Sequence, residues 1–520
     1  EEAVGARVVS EVPRAVGRYS FTHALIRETL YEELGTTRRV RLHRQIGEVL
    51  ETLHGDNLEP HLAELAHHFS ESVQGGDADK AIDYATRAGE RAIGLLAYEE
   101  AVSHYEVALQ ALELKEKPDE GQRCELLLAL GEAQNKAGER DKAGEAFYQA
   151  AGIAREMGAA ELLARAAVGR GGRYLLGEID LANDALLVPL IEEALNALGE
   201  QDNVLRARLL ALLAALIHED SPERGASLSQ EGVEMARRVG DSAALAHALA
   251  GRQDAVWRPD NLEERFAIAT EIVRLAEEVG DKEIALGAHC WRHTCLIERG
   301  DLAAAAPDFE AHDRLGEELQ QHGQRMHTAQ LRAMRALVAG QLEEAEQLAQ
   351  EGLAIGQPTQ PETAMATFSL QLFALRKEQG RMGELEATQK AFAQQYPQIP
   401  LVRTALALIY KQLGRETEAR DEFERLAAND FADLPRDYLW LACVTNLAET
   451  CAFLHDAQRA ATLYELLLPY AERTVVVVYA HACYGSASRH LGLLAATMSR
   501  WQEAAQHFED ALEMNTRSEE

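Results

Sequence analysis

The sequence predicts an all-α protein built as a superhelical array of antiparallel helix pairs. Three observations lead there. Hydrophobic residues make up 47% of the chain but aromatics only 6%, and much of the apolar share is Ala and Leu, the residues of closely packed helices. A Gly–Ala–aromatic–Ala pattern recurs at fixed offsets. Gly–Asp pairs punctuate the chain, Gly ending one helix and Asp capping the next.

The elements follow in order. FTHALIRETLYEEL (21–34) has the periodicity of a buried helix, and RRVRLHRQIGEVLE (38–51) follows it. GDNLEP (55–60) and QGGDAD (74–79) read as linkers. The repeat then sets in with Gly89, Ala101, Tyr105 and Ala108. It returns as Leu130, Gly131, Ala143, Phe147 and Ala150, and again as Leu491, Gly492, Ala504, Phe508 and Ala511. In each copy Ala lies twelve residues after Gly, the aromatic four later and Ala three after that. This spacing matches the tetratricopeptide repeat, with a small residue where two helices cross and an aromatic filling the gap. VGRGGRYLLGE (168–178) reads as a helix interruption.

RVGDSAALAHALA (238–250) and EVGDKEIALGAHC (278–290) each place Gly–Asp before a new helix. Looser copies then run through Gly300, Ala305 and Phe309, Gly340, Ala345 and Ala349, Gly414, Ala419 and Phe423, and His455, Ala460 and Tyr464. From Ala305 the anchors fall at Ala345, Leu385, Ala419, Ala460 and Ala504. Breaks are expected at GQPTQPET (356–363) and NDFADLPRD (429–437). The array is therefore expected over 58–520, as roughly ten to eleven units at a spacing of ~40 residues.

FTHALIRETLYEEL with RRVRLHRQIGEVLE resembles the junction segment of bacterial STAND signalling ATPases, relatives of the maltose-regulon activator and of adenylate-cyclase or LuxR-type fusions. Phe21, His23, Leu25, Arg27, Glu28 and Tyr31, then Arg38–Arg39 and Leu42–His43, carry the likeness, and 433–471 resembles the sensor arrays of the same family. The resemblance implies that 1–57 is the carboxy-terminal end of a winged-helix module and junction. It also implies that 58–520 is the sensor, controlling an ATPase module upstream of this chain in a cytoplasmic, bacterial transcriptional regulator. ATP or ADP would be held by that module, because this sequence contains no G-x-x-x-x-G-K-[ST] loop. In the family a winged-helix His reports on the nucleotide, and the position it implies here is His23; the plainer reading is a helix-start residue packed beside Phe21 and Tyr31.

The formal net charge of −33, from 85 acidic and 52 basic residues, argues against nucleic acid and anionic lipid as partners. No apolar run is long enough for a membrane helix; TVVVVYA (474–480) is far too short. RRVRLHR (38–44) lies among Glu32, Glu33, Glu48 and Glu51, and pairing with them is the simpler account. HCWRHTC (289–295) offers His289, Cys290, His293 and Cys295, but on different helix faces, and His67 diverges from His68; neither set reads as a metal site. No G-x-S-x-G, C-x-x-C or H-E-x-x-H motif appears, so no catalytic residues, no cofactor and no enzyme are expected.

Repeat arrays present the first helix of each pair along a concave face, and binding residues project from it. Large side chains that the packing does not obviously require are the candidates: Trp257 and Arg258, then Trp291, Arg292 and His293, Arg332 and Arg335, and Tyr438 and Trp440. Trp with Arg suits planar or anionic ligands and interface hot spots. The competing account is that each Trp fills a gap between helices. Two functions remain open: a sensor that binds an inducer or a protein partner, and a pure protein-interaction scaffold without a small-molecule ligand.

Overall fold

The computed structural model describes residues 2–12, 19–55, 57–76, 78–172 and 184–517. Among them are 26 α-helices and only two short antiparallel hairpins, so the all-α expectation holds. The middle of the early linkers, Asp56 and Asp77, and the part of the glycine-rich patch from 173 onward lie outside the described residues; the helix Ala160–Gly171 ends just before the latter.

Two compact units divide the chain: Glu1–Asn135 with Gly152–Ala154, and Lys136–Ala151 with Arg155–Glu520. In the first, the strands Val9–Glu11 and Tyr19–Phe21 pair antiparallel, followed by the helices Ala24–Glu32 and Thr36–His54. No unit boundary falls at 57. Thr36–His54 packs on the next helix, Leu62–Ser72, with Gly47 under the Phe69 ring, and Glu51 accepts hydrogen bonds from Lys80 (2.6 Å) and Tyr84 (2.6 Å) of Ala78–Gly94. The helix Ala24–Glu32 buries no side chain: Leu25 is 63% exposed, and Leu53 on the following helix 69%.

The repeat pattern has the structural meaning its spacing implies. A Cβ built on Gly89 would lie 2.8 Å from the Tyr105 ring, and one on Gly492 2.6 Å from the Phe508 ring. Ala101, Ala108, Ala504 and Ala511 are buried beside them. The chain turns between helices are left-handed at Gly240, Gly280, Gly300, Gly340, Gly380 and Gly414, where glycine adopts positive φ without a Cβ clash. Asp241, Asp281, Asp301 and Asp456 then accept from the first backbone N–H groups of the following helices. His455 holds the same left-handed turn (φ 52°) without being glycine.

In the second unit the first helices of successive pairs are Lys282–Glu298, His322–Val338, Pro361–Glu378, Pro400–Gln412, Trp440–Phe453 and Ala487–Thr497. Between the last two pairs the chain leaves the helical pattern and forms a hairpin, Thr474–Val477 with Ala482–Ser486. This hairpin touches five of those six first helices, so it runs along the face that the array would otherwise present to a ligand. Its strands are buried on both sides. Val476 and Ala480 pack with Cys290, Ile297, Phe309 and Met334, whereas Val475, Val477, Ala482 and Tyr484 join the core around Phe373, Leu408, Cys443 and Leu491. A strand buried on both faces reads as an unbroken apolar run, which is why TVVVVYA does not alternate.

Gly89→Ala should force the Tyr105 ring outward and cost roughly 1–3 kcal/mol of stability, read as a lowered midpoint of chemical denaturation with the helical signal before the transition unchanged.

Candidate functional site

The inner face of the second unit gathers part of the predicted set around the hairpin tip. The turn from Val478 to His481 carries two non-glycine residues in the left-handed region, Val478 (φ 55°) and Ala480 (φ 58°). A β-branched residue resists that conformation, so the turn must be held by its surroundings. The Tyr479 ring between them supplies the hold. It lies 4.5 Å from the Trp257 ring, and its hydroxyl donates to Asp254 Oδ1 at 3.1 Å. Tyr438 adds a second ring against Trp257 at 5.5 Å, and the Arg265 guanidinium lies over the indole at 5.5 Å. Arg265 is itself almost fully buried and forms two hydrogen bonds with Glu298, at 3.0 and 2.6 Å.

Trp257 is thus 8% exposed, its ring covered by side chains of its own chain. Arg258 opens the Pro259–Asn261 turn beside Asp260. Asp260 accepts from Arg436 (3.0 and 3.1 Å) and from Tyr470, and Arg436 in turn lies 4.6 Å over Trp440, which is buried edge-on to Tyr470. Trp257, Arg258, Tyr438 and Trp440 therefore sit in two adjoining clusters joined at this turn. The remaining candidates are placed elsewhere. Trp291 is buried in the core (2% exposed), Arg292 pairs with Asp308 (2.8 and 2.6 Å), and His293 bonds the Ala305 carbonyl (3.1 Å). Arg332 bonds Asp313 and Glu317, and exposed Arg335 lies over Phe309 at 4.0 Å. His23 is exposed and caps the helix Ala24–Glu32, its Nδ1 accepting from Leu25 N–H at 3.2 Å.

Three groups escaped the sequence reading. Asp254 and Arg265 lie in the polar stretches GRQDA and LEERF, which read as solvent-facing helix surface although both side chains are buried. The third is Glu449, buried on Trp440–Phe453 and ringed by three cations and an imidazole from the neighbouring first helices: Lys377 (2.8 Å), Lys411 (2.6 Å), Arg489 (3.4 Å) and His490 (3.4 Å). Burial alone would raise its carboxyl, but His490, Lys377 and Lys411 overcome it and hold Glu449 far below the usual carboxylate range.

Among the described residues, two clusters have donor atoms close enough together for a metal. In the first unit, the neighbours His67 and His68 do not diverge as their spacing suggests: both face His43, whose Nδ1 lies 2.9 Å from His68 Nδ1 and whose Nε2 lies 2.9 Å from the Tyr31 hydroxyl. In the second unit, Cys290 meets His312 and His327 from the next two helices. The other members of the HCWRHTC stretch go elsewhere, His289 to Asp308 (2.7 Å) and Cys295 toward Arg265 and Glu298. Burial pushes the Cys290 and Cys295 thiols up to about 12 and Cys483 to about 11, away from nucleophilic thiolates.

No family model matches the chain, and no curated protein does. Among solved structures it is similar to yeast Tom70, at 15% identity over 84% of this chain and 92% of that one, with a TM-score of 0.35. It is likewise similar to the Cut9–Hcn1 hetero-tetramer of the APC/C (12%, 94% and 95%, TM-score 0.42). A Rap protein complexed with competence and sporulation factor aligns at 15% identity over 68% of this chain and 90% of that one, with a TM-score of 0.32.

Two predictions follow from the charges of this face. Burial pushes the Asp254 carboxyl up to about 7, the Tyr479 hydroxyl drawing it slightly back. Between the unfolded value of ~3.9 and that point the folded chain keeps a proton that the unfolded chain releases, so stability falls as pH rises through this window. Asp254→Asn lacks the titration; relative to it the native chain should lose roughly 1–4 kcal/mol between about pH 4 and pH 7.5, measured by denaturation midpoints. Glu449→Gln leaves Lys377 and Lys411 facing each other without their anion and should cost about 3–5 kcal/mol; a Tm within 2 °C of the native value would show the cluster to be solvated.

Proposed function

We propose that this chain is a sensor and protein-interaction scaffold whose first-helix face receives an extended polypeptide segment. The observation that carries the reading is the hairpin 474–486, which lies along that face, touches five successive or near-successive first helices and is anchored at Tyr479. A surface that buries an extended segment of its own chain has the shape and apolar lining to hold one from a partner, with hydrophobic anchors and polar rims as interfaces require. This favours a protein or peptide over a small inducer as the bound species, because the Trp257 ring that a planar ligand would use is already packed, at a tilt, against both Tyr438 and Tyr479.

The finer reading is that the array is the sensor of a STAND-type regulator and acts on an upstream ATPase module. Its support is the 21–51 motif together with the exposure of Leu25, Leu30, Val49 and Leu53, an apolar set that a further module would cover. His23, as an exposed helix cap, is free to meet such a module. Binding at the array would control that ATPase only through a difference in affinity between two arrangements.

A photo-crosslinking residue placed at Arg335, exposed on a first helix, and another at Glu343, exposed on the second helix of the same pair, separate the possibilities. In cells of the native host, the Arg335 position should capture a defined protein partner and the Glu343 position should not. Capture from Glu343 alone, or no difference between the two, would overturn the assignment of the binding face.

A further inference from the structure

The sulfur of Cys290 on Lys282–Glu298, His312 on Leu302–Leu319 and His327 on His322–Val338 offer one donor atom each, all within 4.8 Å of one another, with Cys290 and His312 buried and His327 half-buried. The Cys290 Sγ to His327 Nε2 distance is 3.7 Å. A tetrahedral ion with metal–sulfur and metal–nitrogen bonds of ~2.3 and ~2.0–2.1 Å needs ligand edges of about 3.3–3.6 Å, so this edge is nearly at the required length. The hairpin brings a further imidazole beside this set: the His481 ring lies 5.2 Å from that of His327, as does the His312 ring, but the donor atoms that lie mutually within 4.8 Å are those of Cys290, His312 and His327 alone.

An independent observation points to a missing partner. Both ring nitrogens of His312 and both of His481 are buried without any hydrogen-bond partner. A neutral imidazole carries one donor and one acceptor, and each left unmade in the interior costs about 1–3 kcal/mol. Two such rings around one thiol are unusual in a native core. An ion takes a lone pair from one nitrogen of each ring and so removes the unmade acceptors together.

We propose that Cys290, His312 and His327 bind a divalent transition-metal ion of the zinc class, and that binding draws in the neighbouring His481 as fourth ligand, giving one thiolate and three imidazoles in a closed tetrahedral site. Mixed sulfur and nitrogen donors in that number select zinc over the hard cations magnesium and calcium, which take oxygen. Three ligands come from consecutive helices and the fourth from the hairpin turn, so the ion fastens the hairpin to the first-helix face. Binding displaces the Cys290 thiol proton to solvent as the sulfur–metal bond forms, and affinity therefore falls as pH is lowered. The surroundings suit the imidazoles: burial holds His312 and His481 neutral, which is the ligating form. The proposal does not depend on the partner reading above, since it concerns the protein without any partner.

The test uses the whole chain without a polyhistidine tag, stripped with a chelator and titrated with Co²⁺ alone. One equivalent should give the intense ligand-field absorption of tetrahedral cobalt together with a thiolate-to-cobalt charge-transfer band. Cys290→Ser should abolish the charge-transfer band, His312→Gln should abolish tight binding, and His481→Gln should weaken it at least tenfold. Cys451→Ser, at a buried cysteine in another repeat, should change none of these. Where a variant loses its helical circular dichroism, the native chain decides: zinc should restore the Tm lost on chelation. A stripped native chain that keeps its Tm and binds no cobalt would overturn the site. So would a spectrum unchanged in Cys290→Ser and His312→Gln, which would locate the ion elsewhere, with His43, His67 and His68 the alternative.

Discussion

The seating of Tyr479 against Trp257 and Asp254 is the contact on which the inner face of the second unit depends. A stacked array of helix pairs satisfies its own packing between neighbours, but its first-helix face is left with apolar side chains and no further helix to cover them. Here the chain covers them itself. A strand pair can do so where another helix cannot, because alternate residues reach opposite sides: Val476 enters one core and Val475 and Val477 the other. The price is a turn with Val478 and Ala480 at positive φ, a conformation worth keeping only if the ring between them is firmly held. Trp257, Tyr438 and Asp254 hold it, and Arg265, bonded to Glu298, backs the indole from behind.

The same face shows how an acidic protein organises buried charge. With 33 net negative charges the exterior gains little from any single exposed pair. Inside, the order is reversed: Glu449 is the lone carboxylate among Lys377, Lys411, Arg489 and His490, which come from three other first helices. Such a cluster contributes little net stability over apolar packing, but it is intolerant of misplacement, because a one-turn slip would take cations away from the buried Glu449 carboxylate. It therefore fixes the register in which successive pairs stack. Small residues cannot do this, since Ala at a crossing accepts several registers equally well.

What was legible in the sequence was what is local and periodic. Gly89 beneath Tyr105, Gly492 beneath Phe508 and the glycine turns from Gly240 to Gly414 lie where their spacing puts them, because each depends only on residues within one helix pair. The hairpin was not legible. TVVVVYA is bounded by helices and buried on both faces, so it carries neither the alternation of a half-buried strand nor the length of a helix. Missing it misled the reading of the aromatics. Trp257 looked unneeded by packing because the ring that packs on it, Tyr479, lies more than two hundred residues away in sequence. The company of Cys290 was hidden for the same reason: His312 and His327 come from the next two helices and have no motif spacing to it, while its neighbours His289 and His293 serve Asp308 and Ala305.

A face filled by its own chain sets a condition on anything else that binds there. An occupant that takes the place of the hairpin binds only the fraction of molecules in which Tyr479 has left Trp257, and its apparent affinity is reduced by that fraction, tenfold for each ~1.4 kcal/mol that favours the closed form. The contacts around the hairpin determine how that energy is distributed. The apolar strand residues and the Tyr479–Asp254 bond oppose opening, the strained backbone at Val478 and Ala480 favours it, and raising pH through the Asp254 titration weakens the closed form further. An ion bound by His481 together with three helix residues would shift the balance the other way, because only the closed form presents all four donors. Opening and closing of one hairpin can then be tuned by proton, metal and partner through separate groups, without any change in how the helix pairs themselves are stacked.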